Sequence, residues 1–218
     1  MTPHKEAVLK ALKWFEEECV RRGVVIRLNQ NVDMDYVNSV RPDQVVLAAG
    51  AVFAMPPIEG IENAVNGADV IARKIETKPG QNVVVIGGGV GGAELAHRIV
   101  LEGGKAAVLE MLPEICRGGE MFHTMLLKDY LNKNATVLTS VAVRKINPDS
   151  VEYEDTDHVR HTIPADLTAV CAGQRKMGPD LYDQLLEAGY EAYRIGNNER
   201  AANFLNTTRS AFELAYTI

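Results

Sequence analysis

Hydrophobic and polar positions along the chain follow two different periods. Apolar residues near the start recur at three- and four-residue intervals, which predicts an amphipathic helix from about Pro3 to Arg22. Short apolar runs typical of strands follow at 24–28, 45–49, 83–86, 106–109 and 167–172, and helical spacing recurs at 33–40, 68–74, 93–102 and 120–132. Strand and helix therefore alternate, which predicts an α/β fold with parallel sheets. Short β-rich segments between 141 and 163 predict an added β-meander.

One eight-residue pattern occurs twice in the chain. Residues 43–50 read Asp-Gln-Val-Val-Leu-Ala-Ala-Gly and residues 166–173 read Asp-Leu-Thr-Ala-Val-Cys-Ala-Gly, each an aspartate, a buried strand and Ala-Gly. A glycine-rich turn begins at Gly87, 86 positions before the end of the second copy. The same interval counted back from the first copy falls before residue 1. We therefore expect the first unit to lack its opening strand, turn and helix, and the chain to be the rear part of a larger protein.

The sequence Gly-Gly-Gly-Val-Gly-Gly at 87–92 carries the most specific chemistry. It follows a predicted strand and opens a predicted helix, and Glu110 lies 18 residues after Gly92 at the end of the next strand. We expect Gly87 to permit the tight turn, Gly89 to let the backbone approach a pyrophosphate, and Gly92 to let the helix pack on the strand. The helix N-terminus would bind the phosphates. Because Glu110 would bind the ribose hydroxyls and repel a 2′-phosphate, the predicted cofactor is NAD(H).

Other residues near this turn have more than one interpretation. Glu94 is either an ordinary acid of the first helical turn, stabilised by the helix dipole, or a residue that faces the nicotinamide end. Gly50 and Gly173 each end a predicted strand where a side chain would obstruct a nucleotide, and tight packing is the alternative explanation. His97 and His123 lack a partner at metal-ligand spacing, so we predict that both are surface or packing residues.

Composition and charge narrow the class of protein. The 218 residues are 46% hydrophobic and 24% charged, an ordinary globular mixture. The net charge of −6 argues against a nucleic acid partner. No apolar run reaches the roughly 20 residues that span a membrane, and the start lacks a signal sequence, so a cytoplasmic location is expected. The solitary Cys19, Cys116 and Cys171 predict no metal site, and we expect the last two to be structural.

Several segments of the chain resemble known flavoproteins. Segments 83–96, 108–113 and 171–175 are similar to the NAD-binding domain of pyridine nucleotide–disulfide oxidoreductase-like flavoproteins. Segments 27–32, 41–50 and 56–61 resemble the rear half of NADH:flavin oxidoreductases, the group of 2,4-dienoyl-CoA reductase, enoate reductase and trimethylamine dehydrogenase. The similarity extends from about Pro3 to Ile218.

The resemblance implies a domain order and a set of partners. A Rossmann-like NAD(H)-binding domain at 78–175 would be inserted in a truncated FAD-type α/β domain formed by 1–77 and 176–218. In the complete enzyme NADH would reduce FAD, and electrons would pass through an iron–sulfur cluster to FMN on a (β/α)₈ barrel. The missing N-terminal flavin and barrel portion would then be the partner of this chain.

The resemblance also implies a second flavin contact, at Gly196-Asn197. This chain has asparagine where the family has aspartate, so we expect FAD in the complete enzyme and do not expect it in this chain alone. The predicted catalytic residue is Glu94. The predicted cofactor-binding residues are Gly87, Gly88, Gly89, Gly91, Gly92, Glu110, Gly173, Gly50, Gly196 and Asn197.

Three functions remain open from the sequence. The first is an NAD(H)-binding module of a flavin-dependent oxidoreductase, which positions NADH for hydride transfer to a flavin and is incomplete for turnover in isolation. The second is a non-catalytic module that holds NAD or ADP as a structural or regulatory ligand. The third is a self-contained dehydrogenase, for which the sequence offers no obvious acid–base pair. Because the missing front of the FAD-type unit would leave apolar surface uncovered, a homodimer is expected in isolation.

Overall fold

A computed structural model describes residues 5–176, 181–199 and 203–218. In chain order the elements are α1 (Glu6–Arg21), α2 (Met34–Val40), β1 (Gln44–Leu47), β2 (Ala51–Ala54), β3 (Val65–Asn66), α3 (Gly67–Ile71), β4 (Asn82–Ile86), α4 (Val90–Leu101), β5 (Lys105–Leu109), α5 (Met121–Asn134), β6 (Thr136–Leu138), β7 (Ala142–Ile146), β8 (Ser150–Glu154), β9 (Arg160–Pro164), β10 (Leu167–Val170), β11 (Ala172–Lys176), α6 (Leu181–Glu187), β12 (Glu191–Arg194) and α7 (Phe204–Ala215). Short 3₁₀ turns lie at Ile61–Asn63 and Gly196–Asn198.

The chain divides into two compact units. Of the described residues, the central unit contains 5–6 and Phe53–Gly173, and the flanking unit contains Ala7–Val52, 174–176, 181–199 and 203–218. From the sequence, the NAD(H)-binding domain is expected to start at Lys78, whereas the structure joins residues 53–77 to the central unit. The reason is that β3 pairs with β10 and α3 packs beside α4. The assignment of a cofactor to either unit stays a prediction.

A five-stranded parallel sheet forms the centre of the central unit. Its strand order is β3-β10-β4-β5-β6, and α4 and α5 connect β4 to β5 and β5 to β6. The chain then returns to the other side of β4 as β10, so the strand order reverses beside β4. In open α/β sheets, ligands bind outside the carboxyl ends of the strands at such a switch point. Strands β7, β8 and β9 form a separate antiparallel meander. The predicted parallel sheet with a β-meander is confirmed.

Strand β4 is buried on both faces, which fixes the position of the turn that follows it. Val83 and Val85 pack in one cluster with Leu95 of α4, while Val84 packs in a second cluster with Val151 of the meander. Strands with two covered faces are apolar along their whole length, as this one is. The apolar run from Val83 to Ile86 therefore predicted β4 correctly from the sequence.

The flanking unit has a much smaller core. Strands β1 and β12 form a two-stranded parallel sheet, and Val37, Leu185 and Ala192 are the buried residues of its apolar cluster. Helix α1 is confirmed through Arg21, and Asp33 caps α2 by accepting the N–H of Tyr36. Large apolar side chains stay exposed in this unit, among them Trp14, Val25, Leu28, Leu205 and Phe212.

One strand prediction fails in the flanking unit, and a second is correct in place but wrong in its end and its burial. Val24–Leu28 forms no strand and pairs with none among the described residues; the side chain of Leu28 is 81% exposed. The predicted buried strand 45–49 ends instead at Leu47, and Val46 is 40% exposed. Val24–Leu28 has no described strand beside it, and a strand forms only with a partner. In β1, Val45 and Leu47 pack against the apolar cluster of this unit, whereas the alternating Val46 points to the uncovered face.

Candidate dinucleotide-binding site

The glycine-rich turn joins the carboxyl end of β4 to α4, and two close backbone approaches shape it. Gly87 has a φ of +100°, and a Cβ there would lie 2.7 Å from the carbonyl oxygen of Cys171. A Cβ at Gly92 would lie 2.0 Å from the carbonyl oxygen of Gly87. The fold itself therefore requires glycine at both positions, one for the tight turn and one for the close packing of α4 on the end of β4.

Gly89 is different, because no described residue fills the space beside it. It caps α4 with a φ of −58° and a ψ of 173°, backbone angles open to any L-residue. A Cβ at this position would meet no atom within 4 Å. The first N–H groups of a helix have no acceptor within the helix and attract anions. Open space directly before α4 therefore fits the pyrophosphate of a dinucleotide.

Nearby side chains of the central unit explain why positions 88 and 91 are glycine. A Cβ at Gly88 would lie 2.5 Å from Cγ2 of Ile115, and a Cβ at Gly91 would lie 2.9 Å from Cζ of Phe53. Both residues belong to the turn that was predicted from the sequence. Their small size accommodates protein atoms, so neither position by itself points to a ligand.

Glu110 follows β5 and orders the glycine-rich turn. Its carboxylate accepts the N–H of Gly88 at 2.5 Å and the N–H of Leu112 at 2.8 Å, and only 9% of the residue is exposed. The carbonyl of Gly88 in turn accepts the N–H of Cys116 at 2.7 Å. The segment between β5 and α5 therefore binds both the N–H and the carbonyl group of Gly88. This ordering role was not predicted from the sequence; the predicted contact with ribose hydroxyls stays a prediction.

Glu94 lies in the second turn of α4, because the helix begins at Val90 rather than at residue 93. The interpretation of Glu94 as an ordinary first-turn acid is therefore wrong. Its side chain is 9% exposed, and its carboxylate contacts Nζ of Lys5 at 2.7 Å and Nε2 of His123 at 2.9 Å. Sequence reasoning missed Lys5 and treated His123 as a surface or packing residue. No local pattern connects positions so far apart in the chain.

Gly50 and Gly173 both adopt a positive φ, of +76° and +66°. Gly50 lies between β1 and β2. Gly173 lies inside β11, since the buried strand β10 ends at Val170 rather than at Gly173 as predicted. A Cβ on either glycine would meet no atom within 4 Å, so tight packing does not explain them; their backbone conformation does.

Gly196 belongs to the flanking unit and also has a positive φ, of +59°. Its N–H donates to Oγ of Ser210 at 3.1 Å, and a Cβ would lie 2.7 Å from Cγ2 of Thr207 on α7. The approach of α7 therefore accounts for this glycine. Asn197 follows it in the 3₁₀ turn Gly196–Asn198. The implied flavin contact at these two residues stays a prediction.

The buried cysteines are expected to be inert. Burial raises the pKa of Cys116 to about 11 and that of Cys171 to about 12. A rise of two units lowers the reactive thiolate fraction about 100-fold. At pH 8 a chromogenic thiol reagent should therefore modify only the half-buried Cys19 rapidly in the native protein, and all three after denaturation. A second rapidly reacting thiol in the native protein would contradict the structural role.

Two features are absent from the part of the chain that the structure describes. No helix there combines the length and apolar character needed to cross a membrane. Within the same residues, no group of three or more His, Cys, Asp or Glu side chains is placed to hold a metal ion.

The geometry defines a class of protein. A parallel sheet with a glycine-rich turn at its switch point, an acid after the adjacent strand and open space before the next helix form a Rossmann-like dinucleotide-binding unit. A family model described as pyridine nucleotide-disulphide oxidoreductase matches residues 11–197, and the chain belongs to this family. The family is one of oxidoreductase enzymes whose cofactors are FAD and NAD(P)H.

Individual relatives agree with the resemblance to NADH:flavin oxidoreductases. The chain is 28% identical over its whole length to an NADH oxidase of Thermoanaerobacter brockii, covering 34% of that protein. It is 32% identical to a bilirubin reductase of Mediterraneibacter gnavus over 92% of this chain and 31% of that protein. The fold matches a 2-naphthoyl-CoA reductase complex with a TM-score of 0.90 at 24% identity, over 100% of this chain and 33% of that one. The chain thus spans about a third of the length of these relatives.

Proposed function

We propose that the chain binds NAD(H) at the glycine-rich turn and positions it for hydride transfer to a flavin, as the NAD(H)-binding module of a flavin-dependent oxidoreductase. The observation that carries the proposal is the open space at Gly89, which neither strain nor packing of this chain explains. The name of the T. brockii relative, an NADH oxidase, supports the choice of dinucleotide.

Each part of the site has a separate task in this proposal. The N-terminal N–H groups of α4 bind the pyrophosphate beside Gly89. Glu110 orders Gly88 and accepts hydrogen bonds from the adenosine ribose, while its charge repels a 2′-phosphate. Glu94 lines the nicotinamide end. When bound, NADH supplies the hydride, and the contribution of the chain is to hold and orient it.

We propose that the partner is the flavin-carrying portion of the same enzyme. The relatives are about three times as long as the part that this chain matches. The flanking unit exposes large apolar side chains such as Trp14 at 56% and Phe212 at 62%, which is the character of a surface that another protein segment covers. Because asparagine follows Gly196, we assign FAD to the complete enzyme and not to this chain alone.

Calorimetric titration with NADH, NADPH, ADP and FAD in parallel tests the proposal. We expect NADH to bind at least about tenfold more tightly than NADPH, which corresponds to about 1.4 kcal/mol. FAD should show no binding to the isolated chain. Equal affinities for NADH and NADPH would contradict the role given to Glu110, and a lack of NADH binding would overturn the proposal.

Replacement of Glu110 by alanine should weaken NADH binding about tenfold and reduce the preference for NADH over NADPH. The reason is that the substitution removes the ribose acceptor and the carboxylate that holds Gly88 and Leu112. Calorimetry on Glu110→Ala measures both effects. Glu114→Ala is the matched control, since Glu114 lies in the same segment but is exposed and pairs with Lys128. A similar loss of NADH affinity in Glu114→Ala would show that the effect comes from the charge of the segment and not from the contacts of Glu110.

A second function has support from one residue. Asn197 replaces the aspartate that the family uses to bind the flavin, which favours a module that holds NAD or ADP without catalysis. Equal affinity for ADP and NADH, unaffected by added flavin, would support this alternative. Tighter binding of NADH than of ADP would favour the hydride-transfer module, because only NADH carries the nicotinamide.

A further inference from the structure

Three ionisable side chains from three separate segments meet at the start of α4. The carboxylate of Glu94 is bound by Nζ of Lys5 at 2.7 Å and by Nε2 of His123 at 2.9 Å. A buried carboxylate needs such partners, because an isolated charge in the protein interior is strongly unfavourable. The side chains of Lys5 and His123 are 39% and 46% exposed, so the outer side of the cluster faces solvent.

This cluster lies beside the glycine-rich turn. A Cβ added at Gly119, just before α5, would lie 2.7 Å from Cγ2 of Val90, the first residue of α4. The backbone of His123 is itself fixed, since its N–H donates to the capping carboxylate of Glu120 at 2.8 Å. The imidazole therefore extends from an ordered helix start next to the first turn of α4.

We propose that His123 is a positioning residue that sets the relative affinity of the site for NAD⁺ and NADH by acting through Glu94. The inference rests on the proposed function, because it places the nicotinamide at the Glu94 end of the site. Lys5 and Glu94 carry opposite charges, so the net charge of the cluster is zero with a neutral His123 and +1 with a protonated one. NAD⁺ carries a positive charge on its ring and NADH does not. Protonation of His123 therefore disfavours NAD⁺ relative to NADH.

Three ionisable groups of the segment that leads into α5, Glu114, Cys116 and Glu120, keep one charge between pH 5 and pH 8. Hydrogen bonds from the backbone N–H groups of His123 and Phe122 lower the pKa of Glu120, so it stays ionised. Burial raises the pKa of Cys116 to about 11, so it stays neutral. The pKa of Glu114 is lowered by its pairing with Lys128. Histidine as a residue type ordinarily changes charge in this interval, so the two ends of the interval are the conditions to compare.

Fluorescence titration of the chain with NADH, and displacement of NADH by NAD⁺, tests this at about pH 5.5 and about pH 8. The ratio of the Kd for NAD⁺ to the Kd for NADH should rise roughly three- to tenfold from the higher to the lower pH, the effect of one charge at a partly exposed site. ADP-ribose has the same pyrophosphate but no nicotinamide. The ratio of its Kd to the Kd for NADH should therefore show no comparable change between the two pH values.

Two glutamine variants separate His123 from a general effect of pH. His123→Gln keeps an amide donor near the position of Nε2 but carries no charge, so its ratio should stay constant at the high-pH value of the wild type. His158→Gln is the matched control, because His158 also contacts a glutamate, Glu154, at 2.9 Å but lies in the meander. It should retain the wild-type pH dependence.

The possible failures of this inference and of the proposed function are distinct. The inference is overturned if NADH binds but the ratio of the Kd for NAD⁺ to the Kd for NADH is the same at both pH values in the wild type. It is also overturned if this ratio changes with pH in His123→Gln as it does in the wild type. Absence of NADH binding at both pH values overturns the proposed function and the inference with it.

Discussion

Replacement of Gly89 by valine should reduce the affinity for NADH at least about 100-fold while the fold stays intact. The backbone angles of Gly89, a φ of −58° and a ψ of 173°, are allowed for valine, and its Cβ would meet no protein atom within 4 Å. The branched side chain would instead fill the space assigned to the pyrophosphate. A 100-fold loss corresponds to about 2.8 kcal/mol of binding free energy. Calorimetry measures the affinity, and thermal unfolding checks the fold.

A graded series makes this prediction specific. Gly89→Ala should weaken NADH binding less than Gly89→Val does, because a single methyl group occupies less of the same space. The unfolding midpoint of both variants should remain within a few degrees of the wild type, since replacing the glycine N-cap of α4 costs about 1 kcal/mol, or about 2–4 °C for a chain of this size. Undiminished binding by Gly89→Val would place the pyrophosphate elsewhere, and a large fall in the midpoint would show that the space is not open.

The sequence predicted the central unit well because its signals are local and strong. Strand β4 is buried on both faces, so its residues Val83–Ile86 form an uninterrupted apolar run that is visible without knowledge of its neighbours. The turn at 87–92 was equally visible, since φ values such as the +100° of Gly87 and contacts as close as those at Gly92 require glycine. A site built on such a turn is therefore largely encoded in one short segment.

The failures have a different physical cause, which is dependence on distant parts of the chain. Val24–Leu28 has the composition of a strand, but a strand forms only with a partner, and none of the described strands pairs with it. Strand β11, which reads Ala-Gly-Gln-Arg-Lys, has no apolar alternation and was missed. Glu94 is 89 positions from Lys5 and 29 from His123, so packing of the central unit alone brings these side chains together.

Replacement of Gly92 by alanine should destabilise the chain by about 3 kcal/mol, the upper end of the usual range for overpacking. Alanine at an interior helix position normally stabilises a helix by about 1 kcal/mol relative to glycine, so the sign of the change identifies the cause. Here the added Cβ would lie 2.0 Å from the carbonyl oxygen of Gly87 and 3.1 Å from Cβ of Cys171. Neither the backbone of the turn nor the buried strand end can move away without disturbing β4.

Thermal unfolding should show a midpoint about 6–12 °C below that of the wild type for Gly92→Ala, given about 2–4 °C per kcal/mol for a chain of this size. Gly91→Ala is the matched control in the same helix, because its Cβ would meet only the outer end of the Phe53 side chain and no backbone atom. A smaller decrease of the unfolding midpoint in Gly91→Ala would show that the strain in Gly92→Ala arises at the contact between α4 and the turn. An increased midpoint for Gly92→Ala would mean that helix propensity outweighs this contact, and that close packing of α4 on β4 does not hold the turn in place.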